Sequence, residues 1–169
     1  MMSQQKFLDR YSGQTVSELL AFEGIYRTDS LILAFEQGLD QKSFKHGEST
    51  LSPTERMILA IEALEREVNN GGYDQFFRNS SVEYVLMVVA SLEAIGCPNT
   101  ANITQDAITA LGLSPTPATT EIEKVMAMVD ESRDVTLSKC DSRYYASGED
   151  IASVLFAYIK AHRGDIGLP

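Results

Sequence analysis

Amide side chains and aromatic rings are concentrated in one stretch, residues 69–81, which reads NNGGYDQFFRNSS. Amides donate and accept hydrogen bonds, and rings offer apolar contact area, so together they could line a pocket for a small ligand or a peptide. Alternatively, the amides satisfy backbone groups left unpaired where two helices end. The spacing around a predicted helix break favours this structural interpretation. The residues concerned are Asn69, Asn70, Gly71, Gly72, Tyr73, Gln75, Phe76, Phe77 and Asn79.

Other residue types that carry chemistry form no recognisable site. His46 and His162 have no metal-ligand spacing, and the sequence contains neither HExxH, CxxC nor a Glu-x-x-His pair. It also lacks the GxSxG and Walker A patterns of hydrolases and nucleotide-binding proteins. We therefore expect no metal and no cofactor. The sequence favours a binding protein over an enzyme but leaves the question open.

Carboxylates are the chain's largest chemical excess. The net charge is -10, and the span from Glu55 to Asp134 holds thirteen acidic and five basic residues, a charge of -8. Direct binding of nucleic acid through a basic face is thus excluded, because phosphate contacts need clustered Lys and Arg. Solubility is the plain interpretation of such a surface. Recognition of a basic partner is the functional one.

Helix signals flank the amide-rich stretch. Ser52-Pro53-Thr54-Glu55 combines a capping box with proline at the first helical position, and apolar residues then recur with helical spacing as far as Val68. Gly71 or Gly72 should end this helix in a left-handed conformation. Residues 73–79 should form one helical turn that drives Tyr73, and either Phe76 or Phe77, into the core. Ser80 and Glu83 should open an apolar helix over residues 82–95, at the centre of a bundle.

The remaining segments predict an all-α fold of about seven helices. Capping boxes are expected at Thr15/Glu18 and Thr120/Glu123, and Ser147 should cap the last helix. A helix from Thr28 or Ser30 should stop near residues 38–42. Residues 43–51 should form a loop, 97–100 a turn, and 132–146 an irregular segment that docks Tyr144 and Tyr145. The predicted buried stripe of the helix after Thr120 is Ile122, Val125, Met126 and Val129.

The domain and compartment predictions follow from composition. Residues 1–14 are polar and non-periodic and should be flexible, whereas 15–165 should form a single all-helical domain. Cys97 and Cys140 should be reduced thiols. The longest apolar run, residues 84–90, is far shorter than a membrane span, and the first residues lack a secretory signal. We therefore expect a cytoplasmic protein.

NNGGYDQFFRNSS, with the preceding helix ERMILAIEALEREV, resembles the DMP19-like family. This bacterial family of unknown function includes a DNA-mimic protein. The following LEAIGCPNTANITQDAI also resembles it, as does a C-terminal block with Asp141, Tyr144, Tyr145 and the helix through His162. The resemblance covers roughly residues 51–162. It implies an all-helical domain and a surface whose carboxylates imitate duplex phosphates.

Mimicry requires carboxylates at phosphate-like intervals on a rigid face. Duplex DNA carries a charge every ~1.7 Å of axis, and helix positions three or four residues apart repeat every ~5–6 Å. The implied partner is a basic protein such as a helix-turn-helix DNA-binding regulator, without direct contact to nucleic acid or membrane. An immunity or antitoxin partner is an alternative with the same sequence features. The candidate partner-binding residues are Glu55, Glu62, Glu65, Glu121, Asp130, Glu131 and Asp134.

Overall fold

The computed structural model describes residues 5–169 and confirms the predicted all-α class. Within this range there are eight α-helices and no sheet; two isolated bridges join Tyr26 to Lys6 and to Glu23. None of these helices combines the length and apolar character needed to cross a membrane. The helices are α1 (Val16–Ala21), α2 (Thr28–His46), α3 (Pro53–Arg78), α4 (Val85–Ile95), α5 (Pro98–Thr109), α6 (Thr119–Ala127), α7 (Glu131–Tyr145) and α8 (Ile151–Ala161), with 3₁₀ turns at Glu48–Thr50, Ser80–Tyr84 and Arg163–Asp165.

The described chain divides into two compact units. Residues 5–59 and 150–169 form the first, and residues 60–149 form the second. The first unit contains α1, α2, the first turns of α3, and α8. The second contains the rest of α3 and α4 to α7. The predicted domain boundaries of 15 and 165 stay a prediction.

In the first unit, the predicted capping box at Thr15 is confirmed. The Glu18 N–H donates to Thr15 Oγ1 (3.2 Å), and the Thr15 N–H donates to Glu18 Oε2 (2.7 Å). Helix α2 continues to His46, so the predicted stop near residues 38–42 and the loop over 43–51 are wrong. Gly38 lies inside α2 without ending it: a β-carbon there would lie 2.9 Å from Leu168 Cδ2 and 3.3 Å from the Tyr11 ring, so the missing side chain makes room for both.

Part of the segment predicted to be flexible contacts α2. The Leu8 N–H donates to Ser30 Oγ (3.1 Å), and the Tyr11 N–H donates to Gln37 Oε1 (2.7 Å). Tyr11 is buried, and its hydroxyl donates to the Pro169 carbonyl (2.7 Å). Residues 1–4 lie outside the described residues. These contacts do not measure motion, so the flexibility of residues 1–14 stays a prediction.

In the second unit, several helix starts differ from the predicted ones. Residues 80–84 form a 3₁₀ turn, and α4 begins only at Val85, without a side-chain cap. Its Leu86 is 62% exposed, so α4 is not surrounded by core on every side as predicted. Helix α5 begins at Pro98, within the predicted turn. Helix α6 begins at Thr119, where the Glu121 carboxylate accepts from the Ala118 N–H (2.8 Å), instead of at a Thr120/Glu123 box.

The largest error concerns residues 132–146, which form α7 instead of an irregular segment. Its buried side chains are Arg133, Leu137, Cys140 and Tyr144, which follow helical spacing. A buried arginine at the first of these positions hid the apolar pattern. In the first unit, Asp150 caps α8 by accepting from the Ser153 N–H (3.1 Å), so the predicted Ser147 cap is also wrong.

Candidate functional site

The amide-rich stretch, residues 69–81, forms a corner that we call the glycine corner. The helical backbone of α3 is interrupted at Gly71 and Gly72, and Gly72 has φ 76° and ψ -173°. The predicted glycine break is confirmed, although this conformation is a nearly glycine-only extended one and not the left-handed helical one. Residues 73–78 then resume the helix, as predicted.

Asp141 of α7 caps the resumed helix. The Tyr73 N–H donates to Asp141 Oδ1 at 2.8 Å. A β-carbon on Gly72 would lie 2.7 Å from the carboxyl carbon of Asp141, so this approach requires glycine. Burial raises the pKa of Asp141, and the Tyr73 N–H partly opposes that shift. Gly72 thus permits the positive-φ backbone conformation and also leaves space for the Asp141 carboxylate.

Tyr73 is fully buried, as predicted, and both Phe76 and Phe77 are buried where the sequence predicts only one of them. The hydroxyls of Tyr73 and Thr104 are hydrogen-bonded at 2.8 Å. The Tyr73 ring meets the Tyr144 ring edge-on, with centroids 6.2 Å apart. Burial is the main cause of a strongly raised pKa for Tyr73, so this phenol stays neutral and serves as a packed, hydrogen-bonded core residue.

The amides of the corner turn back onto α3. Gln75 Nε2 and Asn79 Nδ2 donate to the same oxygen, Glu67 Oε2, at 2.6 and 2.7 Å. Glu67 is buried. Asn69 Nδ2 donates to the Glu65 carbonyl (2.7 Å), and Asn70 is exposed. These bonds satisfy a buried carboxylate and a helix end, which favours the structural interpretation over a ligand pocket.

Two tyrosines of α7 complete the polar contacts of the corner. Tyr144 is buried and its hydroxyl donates to Glu65 Oε1, whereas the exposed Tyr145 donates to the Val68 carbonyl (2.7 Å). Burial, followed by the negative charge of Glu65, strongly raises the pKa of Tyr144. No group of three or more His, Cys, Asp or Glu side chains within residues 5–169 is placed to hold a metal ion. The polar groups of the corner bond one another, an arrangement that locks α3 to α7.

The seven carboxylates predicted to bind a partner separate into two sets. Glu55 is 0% exposed and Glu62 is buried, so their predicted exposure is wrong. Lys42 Nζ contacts both Glu55 oxygens at 2.7 and 2.8 Å, and the N–H groups of Ser52 and Gly167 donate to them at 2.8 and 2.7 Å. The Ser52/Glu55 box is thereby confirmed. Glu65 is half-buried and accepts a hydrogen bond from the Tyr144 hydroxyl.

The other four, in and around the α6–α7 turn, are exposed: Glu121, Asp130, Glu131 and Asp134. We call residues 121–134 the acidic segment. Glu121 and Asp130 cap α6 and α7 by accepting backbone N–H groups, and Asp134 contacts Arg133 at 3.0 Å. Glu131, and also Glu123 on α6, accept no hydrogen bond and pair with no cation within the described chain.

Two arginines, one buried and one exposed, hold the backbone of this segment. The buried Arg133 donates to the carbonyls of Val125 (2.6 Å) and Met128 (2.9 Å). Arg78 of the glycine corner donates to the Met126 carbonyl (2.6 Å) and pairs with Asp74 (2.7 Å). These positive charges are therefore engaged with backbone carbonyls, with Asp74 and with Asp134, and the carboxylates of Glu123 and Glu131 face solvent.

Several of these residues carry no sequence signal. Glu67, Thr104 and the buried Arg133 fit no apolar periodicity. Val129, predicted to be buried, is 98% exposed, because α6 ends at Ala127 and the helical spacing does not continue to residue 129. Asp130 three residues before Arg133 is an N-cap pattern that could have marked the start of α7.

The fold and these contacts define an all-α protein with a hydrogen-bonded glycine corner and an exposed acidic segment. The model of the DMP19-like protein family matches residues 49–162, so this chain belongs to the DMP19-like family. The resemblance inferred from the sequence is thereby confirmed, over nearly the same residues. No curated protein matches the chain.

Proposed function

We propose that this DMP19-like protein is a cytoplasmic interaction protein that occupies the nucleic-acid-binding surface of a basic partner, such as a helix-turn-helix regulator. The single observation that carries the proposal is the acidic segment, whose Glu123 and Glu131 face solvent without cation partners. A carboxylate in that state offers its charge to an incoming Lys or Arg, as a phosphate does.

Charge distribution between the two units supports this proposal. The second unit holds fourteen acidic and six basic residues, a charge of -8, whereas the first carries only -2. Several cations of the second unit are already engaged: Arg78 with Asp74, Arg133 with Asp134, and Arg143 with Asp106. The remaining negative excess attracts basic partners over about a Debye length, ~8 Å at physiological ionic strength.

Rigidity also supports mimicry of a duplex over simple solubility. Carboxylates on a flexible chain lose entropy when a partner fixes them, which weakens binding. Here the segment is bounded by two helices, and its carbonyls are held by Arg78 and Arg133. The backbone positions from which its carboxylates extend are therefore fixed before any partner arrives.

Affinity capture from the native cell at low and high salt tests the proposal. We expect a basic DNA-binding protein that is retained at low salt and released at high salt. The purified partner should then bind either this protein or duplex DNA, in competition. An acidic partner, retention unchanged by salt, or simultaneous binding of both would contradict mimicry.

A charge-matched pair of variants locates the binding face. Glu123→Gln with Glu131→Gln removes two unpaired carboxylates, and neither side chain is needed as a hydrogen-bond acceptor within the fold. Glu48→Gln with Glu93→Gln removes the same charge from two other exposed, unpaired positions. Competition with DNA should weaken in the first variant and persist in the second.

A further inference from the structure

Two large apolar side chains protrude from the turn between α6 and α7. Met128 is 67% exposed and Val129 is 98% exposed, and we call this pair the apolar tip. Val135, one helical turn after Glu131 on α7, is exposed as well. Isolated exposed apolar residues are ordinary, but adjacent ones next to further apolar surface are typical of interaction sites.

The apolar tip is held outward by buried contacts. Met128 ends α6, and its N–H donates to the Val125 carbonyl (3.1 Å). Arg133 grips the carbonyls of Val125 and Met128 from the buried side, at 2.6 and 2.9 Å. The Asp130 carboxylate accepts from the Arg133 N–H (3.0 Å) and fixes the start of α7. Because the backbone of the turn is already held, it loses little freedom on binding.

The surroundings of the apolar tip determine its partner. Asp130 follows it directly, Glu131 comes next, and Glu123 lies on the preceding helix; all three are exposed, as is one cation, Lys124, so the surroundings are net negative. This negative rim repels phosphates of nucleic acids and anionic lipid headgroups, and so opposes a membrane or nucleic acid as the occupant. A protein surface with an apolar recess surrounded by Lys or Arg is complementary to the apolar tip and to the carboxylates around it.

We propose that the apolar tip inserts into an apolar recess on the basic protein partner, while the neighbouring carboxylates pair with cations around that recess. This inference rests on the proposed function and deepens it, because it makes part of the affinity independent of charge. The apolar contact distinguishes one basic partner from another, whereas carboxylates alone attract any basic surface.

Site-specific crosslinking is the first test. A photoreactive benzoylphenylalanine is placed at Val129 in the full chain, and a control chain carries it at Leu86, which is 62% exposed on α4. After irradiation in the native cell, position 129 should yield a product with a basic protein that position 86 does not. A product with a second copy of this chain, with an acidic protein, or none above the control would overturn the inference.

Binding of the crosslinked partner, purified, is the second test. Met128→Ser with Val129→Ser should weaken binding about tenfold, because two apolar side chains no longer leave water. Leu86→Ser should change it less than about twofold, since surface changes away from a contact have small effects. Since all three side chains are exposed, thermal unfolding should be unchanged and serves as the folding check.

The salt dependence separates this inference from the proposed function. The Met128/Val129 variant should lose affinity by the same factor at every salt concentration, because an apolar contact is not screened. Glu123→Gln with Glu131→Gln should lose affinity chiefly at low salt. If the Met128/Val129 variant binds fully while the Glu123/Glu131 variant binds more weakly, the role of the apolar tip is overturned and the proposed function stands. If the Met128/Val129 variant binds more weakly but the affinity of the wild-type protein does not depend on salt, the proposed function is overturned.

Discussion

The glycine corner and the acidic segment use the same side-chain chemistry in opposite ways. In the corner, Glu67 is buried and accepts both the Gln75 and Asn79 amides, and Asp141 accepts the Tyr73 N–H. In the acidic segment, Glu123 and Glu131 have no partner at all within the described chain. Whether a carboxylate stabilises the fold or remains available to a partner therefore depends on whether it already accepts hydrogen bonds within the chain.

Substitution of the corner's second glycine should have the largest effect. Gly72→Ala forces a side chain into a positive-φ conformation and against Asp141, which should destabilise the protein by about 3 kcal/mol. Gly96→Ala is the matched control, because its φ is also positive (90°) but open space surrounds it. That control should cost about 1 kcal/mol. Urea unfolding measures both, and equal losses would show that the Asp141 approach is unimportant.

Removal of the cap should have the next largest effect. Asp141→Ala leaves the Tyr73 N–H without its acceptor and should cost about 1–2 kcal/mol. Asp141→Asn retains an acceptor oxygen and should cost less. Because burial raises the pKa of Asp141, its ionisation opposes folding, and wild-type stability should fall as pH rises through that pKa. The free energy of unfolding of Asp141→Asn should lack this pH dependence. The same pH dependence in the variant and in wild type would contradict the role given to Asp141.

A smaller effect, on binding alone, is expected from the acidic segment. Glu123→Gln with Glu131→Gln should weaken partner binding about fivefold at low salt while leaving stability within about 0.5 kcal/mol. The opposite result, a large loss of stability with unchanged affinity, would mean that these carboxylates serve the fold like those of the corner. Titration calorimetry and urea unfolding of the same variant distinguish the two.

The smallest effect concerns a carboxylate that belongs to neither region. Glu149 accepts from the N–H groups of Asn99 and Thr100 and from the Thr100 hydroxyl; desolvation opposes these bonds, but they prevail and lower its pKa. Its stabilising contribution is therefore present above its ordinary value of 4.5 and lost as pH falls through the lowered pKa. Glu149→Gln should flatten the acid limb of the stability profile, and an unaltered limb would exclude this cap.

Local signals predicted much of this arrangement. The Thr15/Glu18 box, the Ser52/Glu55 box and the glycine break depend on residues within a few positions of one another, so sequence spacing is enough to find them. The same local spacing predicts burial of Tyr73 and of one phenylalanine from this turn, although both Phe76 and Phe77 are buried. The family resemblance depends on this stretch together with the helix before it and the segments after it, and the family model matches residues 49–162.

Contacts between distant segments could not be predicted. Glu55 is buried because Lys42 and the Gly167 N–H reach it, and neither is near it in sequence. Arg133 is buried because it binds carbonyls at the end of α6, and the same contact leaves Val129 outside. When a charged residue occupies a core position, the spacing of apolar residues no longer indicates which helix face is buried.

The central claim is that unpaired carboxylates of the acidic segment bind a basic partner. The most direct test is the dissociation constant of the purified partner as a function of NaCl concentration, for wild type, Glu123→Gln/Glu131→Gln and the control Glu48→Gln/Glu93→Gln. We expect affinity to fall steeply with salt, and a shallower dependence only in the first variant. A salt-independent affinity, or the same slope in all three proteins, would contradict the claim.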